Sequence, residues 1–337
     1  MPFVSIIIPC RNEEKNIGPC LLSIARQKFP FSQYEIIVVD DCSEDDTLNE
    51  AKKFCAQHPQ ISVRIVELKE NHRAKKGALT AGINVAAGEL IITRDADSFS
   101  ENENWLSSLT KEFENEKTAM VCAPVFINSA SGFLEQFQLC ENFILQVIGG
   151  GCTLLGFPFL CNGANLAFRK KLFYEVKGYE GNFETLSGDD IFLLKKFRNK
   201  FRNGIAYANS AEAAVTVNPE LSLTALLAQK LRWSGKFFKT LEPTGFLTAL
   251  SVFGINLLFL FLTAWSFVFG LWYKYLILGI LIKWLIDFLL LFLASSRFRV
   301  WSWLYWFIPL QVMNTVYSVI IPFAVLVSKP MWKGRKT

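Results

Sequence analysis

Gly88-Glu-Leu-Ile-Ile-Thr-Arg-Asp-Ala-Asp97 is an apolar run that ends in two carboxylates at i and i+2. Its apolar core lacks polar alternation, which suits a strand buried on both faces of a parallel sheet. Similar short runs occupy residues 4–8, 35–39, 63–68 and 120–124. Amphipathic stretches near residues 13–27, 45–56, 75–86 and 104–116 fall between them. This alternation predicts an α/β fold with a mostly parallel sheet. In such a sheet ligands bind beyond the C-terminal ends of the strands. Arg11-Asn12-Glu13, Asp40-Asp41 and Asp95-Ala-Asp97 all fall there, so three polar clusters point at one crevice.

The chain has 337 residues, 51% of them hydrophobic, enough for one domain of common size and a further apolar part. Apolar runs at residues 245–272, 275–294 and 300–327 each reach the roughly 20 residues a helix needs to cross a bilayer. A first domain at 1–243 followed by a membrane domain at 244–337 is therefore expected. Residues 132–151 mix apolar and polar positions at helical spacing and, like 221–240, suit either an interfacial helix or an ordinary surface helix. The third apolar run carries Pro309 and Pro322 and several Trp, which predicts a broken, re-entrant or interfacial segment. Lys283 and Asp287, at i and i+4 inside a span, are expected to pair.

The apolar run 3–9 is short and is followed at once by Arg11, Asn12, Glu13 and Glu14, unlike a signal peptide. The first domain is therefore expected on the cytoplasmic side. With three full crossings the basic tail from Lys329 to Lys336 would emerge on the far side, against the usual retention of basic flanks inside. Residues 244–337 carry eight Lys or Arg against one acid, Asp287, leaving the rest at net −2. A slightly acidic first domain argues against nucleic acid as the partner, and the basic excess sits where anionic headgroups would be. The eight cysteines precede the apolar runs without a paired C-x-x-C, so reduced, mostly buried thiols are expected and no zinc site.

Two hard carboxylates after a strand, as in Asp95-Ala-Asp97, can hold Mg²⁺ or Mn²⁺ with positions left for diphosphate oxygens; a solvated turn or helix cap uses the same residues. Asp40-Asp41 can accept from a base or a ribose, or cap the helix beginning near Asp45. Asp189-Asp190, ahead of an apolar helix-like stretch, offers a general base, since the chain has only His58 and His72. Gln229, Arg232 and Trp233 share a helix face at i, i+3 and i+4. Arg232 can hold a leaving diphosphate and Trp233 can stack on a ring, or the pair can anchor the chain at a membrane interface.

Together these pieces resemble the inverting, GT-A-fold family-2 glycosyltransferases, in particular the membrane branch with ceramide glucosyltransferases and poly-N-acetylglucosamine synthases. Val4-Ser-Ile-Ile-Ile-Pro9-Cys-Arg-Asn12-Glu13, Val38-Val39-Asp40-Asp41, Lys75-Lys76-Gly77-Ala78-Leu79 and Gly88 to Asp97 stand in the family's order. Asn162-Gly163-Ala164-Asn165, Ser187-Gly-Asp-Asp190 and Gln229-x-x-Arg232-Trp233 follow, and the likeness covers residues 3–240. The resemblance implies that Pro9, Asn12 and Glu13 border the nucleotide, that Asp41 accepts from uracil, and that Lys75 approaches the pyrophosphate. It implies Asp95 on the nucleoside or phosphate side, Asp97 as the metal ligand and Asp190 as the base, preferred to Asp189 by its spacing to Leu193. Gly163, Asn165 and Asp189 would lie on the acceptor side, and Gln229, Arg232 and Trp233 would close over donor and acceptor. The implied reaction moves a sugar from a nucleotide donor, a UDP-sugar, to a membrane lipid with formation of a β-linkage. A processive polysaccharide synthase of the cell envelope is the alternative, and an inactive sugar-nucleotide binding protein the remote one.

Overall fold

The computed structural model describes residues 2–69, 74–128, 132–183, 188–240, 243–270, 273–327, 331–332 and 335–336. Ser187 of the expected Ser-Gly-Asp-Asp motif, the Arg232 side chain and the tail residue Lys329 lie outside the described residues. The chain divides into two compact units, residues 1–128 with 148–218 and residues 129–147 with 219–337.

The first unit opens β1 (Val4–Cys10), α1 (Ile17–Ala25), β2 (Tyr34–Asp40), α2 (Thr47–Gln57), β3 (Ser62–Glu67), α3 (Ala74–Val85) and β4 (Leu90–Thr93). β5 (Ser98–Phe99), α4 (Trp105–Lys111), β6 (Met120–Cys122) and β7 (Val125–Ile127) follow, and α5 (Phe133–Leu154) is divided between the units. β8 (Leu166–Arg169), α6 (Lys170–Glu175), α7 (Asp189–Lys200), β9 (Ile205–Tyr207) and β10 (Val215–Val217) complete it.

The main sheet has the order β3-β2-β1-β4-β8-β6-β9. The four strands read from the apolar runs up to residue 93 pair in parallel, with Cys10 opposite Asp40 and Ile7 opposite Thr93. Ile6, Ile7, Ile8, Ile36, Ile37 and Val39 are wholly buried, as a strand covered on both faces requires. Helix α1 buries Ile17, Cys20, Leu21 and Ile24, one stripe at helical spacing. Helix α3 comes so close to the sheet that a Cβ on Gly82 would lie 2.6 Å from Ile7 Cγ2.

The sheet is mostly parallel, as expected, and β8 is its antiparallel member. It lies antiparallel between β4 and β6, with Thr93 opposite Leu166 and Cys122 opposite Leu166. Because β8 runs backwards, its N-terminal end meets the C-terminal end of β4, and Thr93 Oγ1 donates to the Gly163 carbonyl at 2.7 Å. A second small sheet joins β5, β10 and β7.

The second unit holds the N-terminal part of α5 with α8 (Leu223–Thr240), α9 (Pro243–Phe269), α10 (Tyr273–Phe298) and α11 (Phe307–Val327). Three stretches, Gly245–Phe269, Tyr273–Phe298 and Ser302–Val325, are long and apolar enough to cross a membrane. The expected break at Pro309 and Pro322 is absent: α11 is one helix. Pro309 sits in its first turn, where a missing N–H costs nothing, and Pro322 is carried within the helix. Lys283 pairs with Asp287 at 2.7 Å as expected and also donates to Gln311 of α11 at 3.2 Å.

Candidate active site

The C-terminal ends of β1 and β2 leave the sheet side by side, and their exits are laced together. Arg11 Nη1 donates to the Asp41 carbonyl at 2.9 Å and the Asp41 N–H to the Cys10 carbonyl at 2.9 Å. Asn12 accepts from the Glu44 N–H at 2.9 Å and donates its own N–H to Ser43 Oγ at 3.0 Å, while the Glu13 N–H donates to Thr47 Oγ1 at 2.7 Å. Asn12 and Cys42 hold left-handed backbone, φ 53° and 57°, a strained conformation for non-glycine residues that functional loops commonly retain. Asp40 turns inward to accept from Ser43 N–H, and the cap of α2 is Asp46, so neither Asp40 nor Asp41 caps that helix. Asp41 is buried at this edge and Pro9 lies half-buried one residue before the strand ends.

The β4 exit meets the start of α7 through one lysine. Lys75, at the start of α3, is bonded to Asp95 Oδ1 and lies 3.7 Å from Asp189 Oδ2. Burial alone would lower its ammonium, but Asp189 and then Asp95 outweigh that and hold it above its ordinary range. Asp190 adjoins the same group: its Oδ2 accepts from the Gly163 N–H at 3.3 Å and its Oδ1 from the Ile191 N–H at 2.8 Å. Gly163 fills the space between them, for a Cβ there would lie 3.1 Å from Asp189 Oδ2 and 3.4 Å from Lys75 Nζ. Gly188, with φ 80°, supplies the left-handed turn that starts α7 at these carboxylates. Tyr179, buried beside Asp189 and Asp190, is pushed well above its ordinary range first by burial and then by those charges, so it stays an O–H donor.

Asp97 stands at the rim. The protein crowded around it, then the like charges of Asp95 and Glu13, raise its carboxyl to about 7, with Lys75 opposing. Its side chain keeps an open face to solvent, so water weakens both the crowding and the repulsion, and both act in the same upward direction. Among the described residues no three His, Cys, Asp or Glu side chains converge on one metal position. Asp95 is taken by Lys75, which leaves Asp97 as an oxygen donor among like charges. That donor set fits a hard divalent cation with few protein ligands and the remainder from phosphate oxygens and water.

Asn165 is not brought to this crevice. It is fully buried, donating to the carbonyls of Pro124 and Ala213 at 2.8 Å each and accepting from Trp105 Nε1 at 3.0 Å. Two buried cations passed over in the sequence reading shape the site. Arg94 stacks 4.5 Å from the centre of Trp105 and donates to Ser23, Ser98 and Ser100, fixing the loop that carries Asp95. Lys76 is wholly buried with its Nζ 2.6 Å from the Asn182 carbonyl. The only signal for either was a cation inside or beside an apolar run.

Gln229 and Trp233 belong to α8 of the second unit. Gln229 Nε2 donates to Glu220 at 3.0 Å, and Lys230 Nζ lies 4.7 Å from the centre of the Trp233 ring. All eight cysteines are among the described residues, and none forms a disulfide.

Residues 5–176 match the family described as Glycosyl transferase family 2. The chain is 30% identical over 159 residues to dodecaprenyl-phosphate galacturonate synthase of Rhizobium johnstonii, covering 45% of this chain and 46% of that protein. It is 41% identical over 101 residues to the human dolichyl-phosphate beta-glucosyltransferase, covering 28% and 31%. The match thus spans less than half the length of either relative. Among solved structures, the mannosyltransferase PcManGT from Pyrobaculum calidifontis, in complex with GDP-Man and Mn²⁺, aligns with a TM-score of 0.61 at 16% identity. That alignment covers 97% of this chain and 87% of the other and shows a shared GT-A-like fold. With a mostly parallel sheet whose β4 exit brings Asp95, Asp97 and Asp190 around Lys75, and a family match over residues 5–176, the chain belongs to glycosyltransferase family 2.

Proposed function

We propose that the chain is an inverting glycosyltransferase that moves a sugar from a UDP-sugar to a membrane lipid, leaving a β-glycosidic bond. The observation that carries this reading is Lys75, held between Asp95 of the β4 exit and Asp189 of α7 with Asp190 beside it. One edge of the sheet thereby presents a cation suited to phosphate oxygens and a carboxylate suited to an acceptor proton. Pro9, Asn12, Glu13 and Asp41 take the nucleotide, Asp41 by accepting from the base. Lys75 and Asp95 serve the phosphate side, and Asp97 would hold Mg²⁺ or Mn²⁺, which would neutralise charge growing on the departing diphosphate.

Asp190 takes the proton of the acceptor hydroxyl as that oxygen bonds to the anomeric carbon. The bond from that carbon to the diphosphate breaks, its electron pair leaves with the nucleoside diphosphate, and an α-linked donor gives a β-linked product. The Gly163 N–H on Oδ2 fixes the carboxylate's orientation. Gln229, Arg232 and Trp233 are assigned to donor and acceptor contacts, with Gly163 on the acceptor side. A lipid acceptor is supported by the three apolar helices and by the two relatives whose names specify lipid phosphates. In this reading the first unit lies on the cytoplasmic side.

The test is a donor screen with labelled UDP-glucose, UDP-galactose, UDP-N-acetylglucosamine and GDP-mannose, followed by solvent partition. A lipid-soluble, singly glycosylated product is expected. High-mass polysaccharide would install the processive alternative, and failure to release nucleotide from every donor would make the chain a binding protein. Asp190→Asn should slow transfer to a hydroxyl acceptor at least about 10²-fold while nucleotide still binds; undiminished turnover would remove Asp190 as the base. EDTA should stop transfer and Mn²⁺ or Mg²⁺ restore it.

A further inference from the structure

Within the second unit, whose long helices are apolar, two short polar relays run from α5 to α8. In the first, Glu141 of α5 is bonded to Lys230 of α8, and Lys230 Nζ lies 4.7 Å from the centre of the Trp233 ring. Glu141 also accepts from Tyr317 of α11 at 3.1 Å, and the Tyr317 ring meets Phe137 edge-on at 5.2 Å. Lys230 and Glu141 keep only 5% and 14% of their side-chain surfaces exposed. In the second relay, Gln138 donates to the Glu220 carbonyl at 2.9 Å and accepts from the Glu220 N–H at 2.8 Å. The Glu220 carboxylate then accepts from Gln229 Nε2 at 3.0 Å. Gln138 and Glu141 are neighbours on one face of α5 at i and i+3, and Gln229 and Trp233 are neighbours on one face of α8 at i and i+4.

Stability does not explain this arrangement, because a buried ion pair is commonly no more stabilising than apolar side chains of the same volume. Direction does. Apolar contact would hold α8 against α5 but is indifferent to rotation of α8 about its axis, whereas hydrogen bonds fix that rotation within narrow angles. Each relay acts on one residue of Gln229-x-x-Arg232-Trp233.

We infer that Gln138 and Glu141 are positioning residues that set the orientation of Gln229 and Trp233, and that Tyr317 makes this setting depend on assembly of α11. The inference rests on the proposed roles of Gln229 and Trp233 in transfer. It assigns the third apolar helix a part in turnover besides anchoring.

The experiment uses the full chain in phospholipid vesicles. Sugar transfer is divided by the number of UDP-binding sites, so unfolded protein does not count. Glu141→Gln should lower kcat about 10- to 100-fold and Tyr317→Phe about 3- to 10-fold, as displacement of a positioned group does. UDP affinity should change far less than kcat, because Pro9, Asn12, Glu13 and Asp41, which take the nucleoside, are untouched. Lys230→Met combined with Glu141→Gln should be no slower than the slower single variant, since both break one relay. Wild-type turnover per UDP site in Glu141→Gln and Tyr317→Phe would overturn the inference. If Glu141→Gln does not fold, Tyr317→Phe decides alone. A wild-type chain silent with every donor would instead overturn the proposed function, so the two failures read differently.

Discussion

In the first unit Ile6, Ile7, Ile8 and Ile36 are wholly buried, whereas in the second Leu257, Leu258, Phe261 and Phe267 are 42%, 54%, 56% and 92% exposed. Polar groups reverse the pattern. The first unit carries Asp97 and Asp190 on its open edge, while the second hides Ser295, Asn256, Gln311 and Lys230. Both follow from keeping apolar atoms with an apolar medium and satisfying polar groups where water is absent. The difference teaches where to look for chemistry: charge at a wet edge is available to a ligand, and charge among apolar helices is committed to a partner.

The comparison breaks most visibly where an edge charge is removed. Lys75→Met should slow sugar transfer about 10²- to 10³-fold at saturating donor, the usual cost of one preorganised donor, read in a single-turnover assay; a loss below tenfold would make Lys75 structural. The converse change lies in the second unit. Asp287→Leu strands Lys283 of a half-buried pair and should cost roughly 1–3 kcal/mol, below the range for a fully buried pair, because Gln311 still accepts from the ammonium. Removing both charges, Lys283→Met with Asp287→Leu, should be close to neutral. Unfolding in detergent measures both, and equal costs would mean the pair is not a pair.

Asn165 sharpens the contrast from inside the first unit. Asn165→Ala removes three buried hydrogen bonds and should lower stability by about 2 kcal/mol by denaturant titration. A cost near zero would release it from the scaffold. Gly163→Ala drives a methyl to 3.1 Å from Asp189 Oδ2 and should slow transfer about tenfold, a barrier change of roughly 1.4 kcal/mol. At the small end, Lys28→Ala opens a solvent-exposed pair with Glu103 and should leave the melting temperature unmoved.

The strands at residues 4–10, 34–40 and 90–93 were legible because double burial leaves an unbroken apolar signature. β8 was not: Leu-Ala-Phe-Arg lacks the β-branched residues of Leu-Ile-Ile-Thr and ends half-buried, and only pairing with β4 and β6 makes Leu166 to Arg169 a strand. The motif Asn162-Gly-Ala-Asn165 was read as one acceptor-side unit, yet Gly163 lies among the carboxylates while Asn165 turns into the core. Two residues along an irregular turn can face opposite ways, and motif spacing carries no record of which. α11 shows the opposite failure, a break read from Pro309 and Pro322 that position in the first turn and accommodation within the helix removed.

What the sequence by itself determined was the α/β class, the three apolar helices and the set of chemically able residues, because burial and lipid exposure leave periodic traces over a few turns of chain. Only the tertiary structure decided the partners: Lys75 with Asp95 and Asp189, Asp190 with Gly163, and Glu141 with Lys230 and Tyr317. These pairs lie between 20 and 176 residues apart, and Coulomb and hydrogen-bond energies depend on separation in space, which chain order does not encode.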